Sequence, residues 1–208
     1  MRRFFRTHPR ALCAVLLVLL YSLYFLTQHV PLSYHTVHVP LDDCIPFVPA
    51  FILAYILWYL YVPGLLLYAS FRERETFLRQ MAVLLPGMAL GIATFVLFPT
   101  QIDFRPDAAG EGLALALCRL IYANDRPVNV LPSLHCFETL AVYLPLLQNR
   151  RGHRALCAVC GVLAALICLS TVFVRQHSVV DLAAGSLLAL ALNALAGRTF
   201  FQKRGGAE

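Results

Sequence analysis

Charge is what this chain has least of. Only 13% of its 208 residues are Asp, Glu, Lys or Arg, against 60% hydrophobic, whereas a water-soluble domain carries about 25% charged residues. Acidic residues are the scarcer sign, 11 against 17 Lys and Arg. The chain also has no internal repeat and no low-complexity linker, which excludes a solenoid or a string of tethered domains. It lacks the period-two alternation of barrel strands, and that excludes a membrane β-barrel.

What remains is apolar sequence in six stretches, Ala11–Thr27, Ile45–Ala69, Phe77–Phe98, Leu131–Leu147, Ala155–Val174 and Ser178–Ala196. Each approaches the ~20 residues that a helix needs to cross a bilayer core of about 30 Å. Backbone groups in lipid must be satisfied internally, so the expectation is an all-α, integral membrane six-helix bundle occupying residues 1–208 as a single membrane domain. Pro63 and Pro86 are tolerable within such helices. The N-terminal "MRRFFRTHPR" precedes an apolar run with no small-residue cleavage site after it, so the run is read as a retained first helix and not a signal peptide.

The basic residues orient the bundle. Arg2, Arg3, Arg6, Arg10, Arg72, Arg74, Arg79, Arg150, Arg151, Arg154, Arg198, Lys203 and Arg204 fall on one side, leaving only Arg105, Arg119, Arg126 and Arg175 of the 17 on the other. This asymmetry predicts both termini in the cytoplasm. The net charge of +6 is then a topology signal, and no nucleic-acid partner is needed to explain it. Topology does not ask for the four outer arginines. Arg105 and Arg175 are candidates to fork onto an oxyanion, whereas Arg119 and Arg126 read more simply as snorkelling to headgroups.

Seven cysteines include the pair Cys157 and Cys160, but no second pair accompanies it and it lies in a predicted span, so packing is the simpler reading than a metal or redox site. The loop with His29, His35, His38, Asp42, Asp43 and Cys44 resembles a metal site only superficially. Its H-x2-H spacing does not put both imidazoles on one helix face, and Pro31 and Pro40 suggest an extended loop. In the outer loop 99–130, Glu111–Asp125 is too short to span and is either an interfacial helix or a plain connector.

Ionisable residues inside spans are costly and usually functional. Here they are His135 and Glu138 near the start of the fourth stretch and His177 and Asp181 around the start of the sixth. Both starts face the outer side, as do Arg105 and Arg175. His177 and Asp181 are four apart and share a helix face, so the carboxylate can hold one ring nitrogen while the other acts, or the two can form a structural hydrogen bond. Pro132 and Ser133 fit a first helical turn whose free N–H groups favour an anion, with His135 one turn in as a proton donor to a leaving oxygen. Glu138 either bonds a catalytic group or pairs within the bundle.

These residues resemble the motifs of the type 2 phosphatidic acid phosphatase superfamily, K-x6-R-P, P-S-G-H and S-R-x5-H-x3-D. The second stands here as "PSLH" and the third as "STVFVRQHSVVD", forms similar to the branch containing small bacterial lipid phosphatases and inositol phosphorylceramide synthases. The resemblance implies that His177 is a nucleophile forming a phosphohistidine, that Asp181 orients it, and that His135 is the general acid. It implies phosphate binding by Arg105 of "RP" and by Ser133, with Ser170 at the serine position of the third motif. Phe98 stands where the first motif has its lysine, Thr171 where the third has its arginine and Leu134 where the second has its glycine; Arg175 is the candidate to replace the lost cations.

The expected function is therefore a metal-independent lipid phosphate phosphohydrolase, with no cofactor, acting on a lipid phosphate or diphosphate at the outer face of a membrane, by resemblance a bacterial plasma membrane. Two alternatives stand beside it: headgroup transfer to a lipid alcohol through the same site, and a non-catalytic or transport protein on the same fold.

Overall fold

The computed structural model describes residues 9–30, 33–149 and 153–205, with no side-chain description for Pro9 or for 199–205. Of the residues weighed above, Arg2, Arg3, Arg6, Pro31, Arg150 and Arg151 lie outside it, as do the side chains of Lys203 and Arg204. The elements run α1 (Pro9–Thr27), β1 (His35–Thr36), α2 (Pro40–Cys44), a 3₁₀ turn (Pro49–Phe51), α3 (Ile52–Arg72), α4 (Arg74–Leu97), β2 (Thr100–Gln101), α5 (Leu113–Asn124), α6 (Leu134–Gln148), α7 (Arg154–Phe173) and α8 (Val179–Gly205).

The protein is an all-α membrane bundle. Among the described residues, α1, α3, α4, α7 and α8 are long and apolar enough to cross a membrane. The fourth expected span is shorter than its apolar run implies: α6 has 15 residues, about 22 Å at 1.5 Å per residue, against a core of about 30 Å. The run Leu131–Leu147 overshoots because Pro132 has no N–H to give and Ser133 adopts an extended cap conformation, its Oγ accepting from Cys136 N at 3.4 Å. Similarly, Pro46 and Pro49 delay α3 to Ile52 although its apolar run starts at Ile45.

The short α6 is the centre of the bundle. It packs against α3, α4, α7 and α8 and buries Phe137, Ala141, Val142 and Leu146 in the main core. By contrast α1 packs chiefly on α4, and only 6% of its spanning window is buried. The side chains of Leu97, Phe71 and Val18 stay largely exposed, an apolar periphery that suits lipid contact.

At one end of the bundle Glu73, between α3 and α4, accepts from Thr76 and lies 2.7 Å from His153 Nε2 at the start of α7. At the other end three loops are stitched together. β1 and β2 pair in parallel through His35–Thr100 and Thr36–Gln101, Asn129 N donates to Thr100 O at 2.6 Å, and Leu131 N donates to Thr100 Oγ1 at 3.1 Å. The α5 helix lies in the loop read as interfacial helix or connector; Arg119 folds back to donate to the carbonyls of Ala108 and Gly110, at 2.7 and 3.0 Å.

At this second end α6 and α8 meet backbone to backbone. Ser133 N donates to Asp181 O at 3.1 Å, and a Cβ on Gly185 would stand 2.3 Å from Ser133 O. A methyl there cannot be absorbed by rotating a side chain, because the obstacle is backbone. Gly185→Ala is therefore expected to push α8 off α6, destabilising the bundle by about 1–3 kcal/mol. Thermal unfolding in detergent checks it; an unchanged midpoint would mean that the helices do not touch here.

Candidate active site

The stitched end gathers the polar residues that the sequence scatters. His135 lies in the first turn of α6, and His177 in the tight connection between α7 and α8, with ring centroids 5.8 Å apart and both rings buried. Tyr55 and Trp58 of α3 hold the His135 ring, each with its centroid 4.5 Å away. His135 Nε2 has no hydrogen-bond partner among the described residues, so it is free to meet a ligand.

Behind His177 stands Asp181, fully buried, with Oδ2 3.5 Å from His177 Nδ1. That is an ion-pair distance, longer than a formed hydrogen bond; Oδ2 also accepts from Ser178 N at 2.9 Å. Burial, the largest influence, disfavours an imidazolium at His177, but the Asp181 and Asp125 carboxylates outweigh it and raise the pKa above 6.5. A nucleophilic imidazole must be neutral. If His177 attacks, kcat/KM is expected to fall as pH drops through a midpoint above 6.5, and Asp181→Asn should move that midpoint down. A limb below the ordinary histidine value would contradict the pairing.

The connection that carries His177 is anchored from afar. Asp42 in α2, almost fully buried, accepts from Ser178 Oγ at 2.7 Å and Val179 N at 2.9 Å, and also from Val39 N at 3.0 Å. The carboxylate thereby fills the N-terminus of α8, where unpaired N–H groups and the helix dipole favour negative charge. In the sequence Asp42 was visible only as part of a superficial His/Asp cluster.

The two histidines line a small polar pocket together with Arg105, Asp125, Arg126, Asn129 and Gln176. Its free space is about 10 Å³, room for roughly one water. Arg105 closes it by donating to Asp125 O at 2.7 Å and to Gln176 Oε1, with its guanidinium 4.9 Å from the Tyr122 ring centroid. Arg126 donates to Gln28 O at 2.7 Å and Tyr55 OH donates to Asp125 Oδ2 at 2.8 Å. A phosphate entering here would take over the arginine contacts now made to carbonyl and amide oxygens.

The other expected ligands sit elsewhere. Ser133 is spent as the α6 cap. Ser170 is buried in α7 and donates to Ile167 O at 2.6 Å. Arg175, with φ of 53°, donates to Ile45 O and lies over Phe104, 5.4 Å from the ring centroid; it does not line the pocket. Arg126, read as a headgroup anchor, does. The spacing Arg119-x6-Arg126-Pro127 reproduces K-x6-R-P with arginine for lysine, a signal as good as the "RP" at Arg105.

His38 pairs with Asp43 and Asp103 at 2.9 and 3.1 Å, while His29 Nδ1 bonds Phe25 O. Among the described residues no group of three or more His, Cys, Asp or Glu is placed to hold a metal ion.

Comparison with known families finds a match over most of the chain. The profile described as the PAP2 superfamily covers residues 26–195. No curated protein and no solved structure matches the chain.

Proposed function

The chain belongs to the PAP2 superfamily, and from that premise we propose that it is an integral membrane phosphatase that hydrolyses a lipid phosphate or diphosphate through a phosphohistidine on His177. Membership supports a phosphatase-type, lipid-related function; the finer reading rests on the paired rings of His135 and His177, 5.8 Å apart, with a buried carboxylate behind one and two arginines at the same pocket.

In the first step the His177 nitrogen not facing Asp181 attacks phosphorus. The bond from phosphorus to the lipid oxygen breaks, and His135 delivers its proton to that oxygen. Arg105 and Arg126 neutralise charge on the non-bridging oxygens. In the second step His135 takes a proton from water, the water oxygen bonds to phosphorus, the N–P bond breaks, and inorganic phosphate leaves. With both termini cytoplasmic, as the arginine distribution argues, the site opens on the outer leaflet.

The test is phosphate release by the purified protein with a chelator present, across lysophosphatidate, phosphatidate and a polyprenyl diphosphate. Alkaline quenching during turnover should trap a base-stable phosphoprotein that loses its phosphate on acidification. Release with no such intermediate would remove the covalent mechanism.

One observation favours headgroup transfer as the second reading. The Asp125 carboxylate lies at the pocket beside the arginines, where it repels a phosphate dianion but accepts from a hydroxyl. For a hydrolase, Asp125→Asn is expected to lower KM for a dianionic substrate several-fold. For a transferase the same change should depress turnover that depends on an added lipid alcohol, and steady-state kinetics with and without the alcohol separates the two.

A further inference from the structure

The way α7 stops brings Gln176 to the histidines. Arg175 takes a left-handed φ of 53°. The chain then closes with Gln176 N donating to Thr171 O at 2.9 Å and Arg175 N to Val172 O at 3.1 Å, the paired bonds of a Schellman stop. His177 N reaches the same Thr171 O at 3.1 Å. Gln176 is thereby held beside His177 in the wall of the polar pocket, its residue only 2% exposed.

Its amide has one orientation open to it. A guanidinium carries donors and no acceptor, so the end of the amide that meets Arg105 is Oε1, and Nε2 is turned elsewhere. Nε2 is buried and has no partner among the described residues, a stranded donor of the kind that folded proteins rarely keep. Asn129, the other carboxamide lining the pocket, is set the opposite way. The Thr27 hydroxyl spends its proton on Tyr24 O at 2.7 Å and so accepts from Asn129 Nδ2 at 3.1 Å, which leaves Oδ1 as the free atom. A bare acceptor does not serve a phosphate anion, whereas a bare donor does. Thr171 stands where the third motif carries its arginine, but its hydroxyl donates to Cys168 O at 2.7 Å and it does not line the pocket.

We propose that Gln176 is a phosphate ligand, its Nε2 donating to a non-bridging oxygen of the phosphoryl group at His135 and His177, an uncharged donor in place of the motif arginine. The proposal rests on the phosphatase reading and adds a ligand to its site. Arg105 Nε is also without a partner among the described residues. The guanidinium therefore has a donor to spare for the same phosphate, beyond the one that orients the amide.

Two substitutions and one probe test it. Orthovanadate copies the five-coordinate phosphorus of a phosphoryl displacement, and vanadium NMR reads its binding to the full protein in detergent without any turnover. Gln176→Glu keeps an oxygen for Arg105 but loses the N–H. Gln176→Met loses both and adds no charge; Gln176→Leu replaces it where thermal unfolding shows that the variant does not fold. Both changes are expected to weaken vanadate binding about 10–100-fold, the range for a hydrogen bond to a charged acceptor, and to lower kcat/KM for a lipid phosphate in step. Weakening in Gln176→Glu alone would reduce the effect to an added negative charge and overturn the ligand. Weakening in the uncharged variant alone would mean that Gln176 only positions Arg105, and overturns it equally. Vanadate binding that both substitutions weaken, in a protein that releases no phosphate from any lipid phosphate, would keep the ligand and sink the phosphatase reading. Phosphate release with vanadate binding absent, or untouched by either change, would do the reverse.

Discussion

Replacing His177 by alanine is expected to abolish phosphate release from every substrate, by on the order of 10⁴-fold or more, because removing a nucleophile takes away the covalent route entirely. Replacing His135 should behave differently. A general acid contributes about 10²–10⁴-fold when the leaving oxygen is a poor alkoxide, but a nitrophenolate departs without a proton. His135→Ala is thus expected to cripple turnover of a lipid phosphate while sparing the burst of nitrophenol from nitrophenyl phosphate, and to slow the later hydrolysis of the phosphoprotein. Stopped-flow kinetics on both variants reads the contrast. Both substitutions remove buried rings, so thermal unfolding is measured beside them. A folded His177→Ala protein that still releases phosphate would end the histidine mechanism, and equal effects of His135→Ala on both substrates would end the assignment of acid and nucleophile.

Asp42→Ala carries the other large effect, on stability. Its carboxylate satisfies Ser178 Oγ and the N–H groups of Val179 and Val39, and alanine leaves all three donors without that acceptor. A stranded buried donor costs about 1–3 kcal/mol and the two part-buried amides cost less, so a loss of roughly 2–3 kcal/mol is expected, with His177 displaced because it immediately precedes Ser178. Asp42→Asn keeps an acceptor oxygen and should recover part of both stability and turnover. Thermal unfolding and kcat measured on the pair decide it. A fully stable but inactive Asp42→Ala protein would mean that Asp42 acts on substrate and not on the fold.

The apolar runs made the five long helices α1, α3, α4, α7 and α8 legible, since a bilayer imposes a length and a polarity that composition records directly, whereas the run at α6 overstated a helix of 15 residues. The grouping of His135, His177 and Asp181 was legible for a related reason: they stand out against an apolar background. What stayed hidden depends on contacts across long sequence separations. The anchoring of α8 by Asp42 spans more than 130 residues, and the β1–β2 pairing has only two residues per strand, too short for any periodicity. Arg126 was misjudged for another reason. A lone arginine in an outer loop looks like a headgroup anchor until its carbonyl partner at Gln28 and its place in the pocket are known. Arg175 erred the other way, since nearness to His177 in sequence says nothing of direction when the backbone turns left-handed at φ 53°.

The brevity of α6 has a consequence for where the reaction takes place. A central helix of 15 residues, surrounded by full-length spans, starts below the rim that its neighbours define, and it carries His135 down with it. On the phosphohistidine reading the scissile bond would have to be drawn into the shadow of the headgroup layer, and the bilayer's thickness would become a variable of the rate. In thin membranes the reactive groups sit nearer the level at which phosphates float, and in thick ones each phosphate must sink further at an added cost of hydrophobic mismatch.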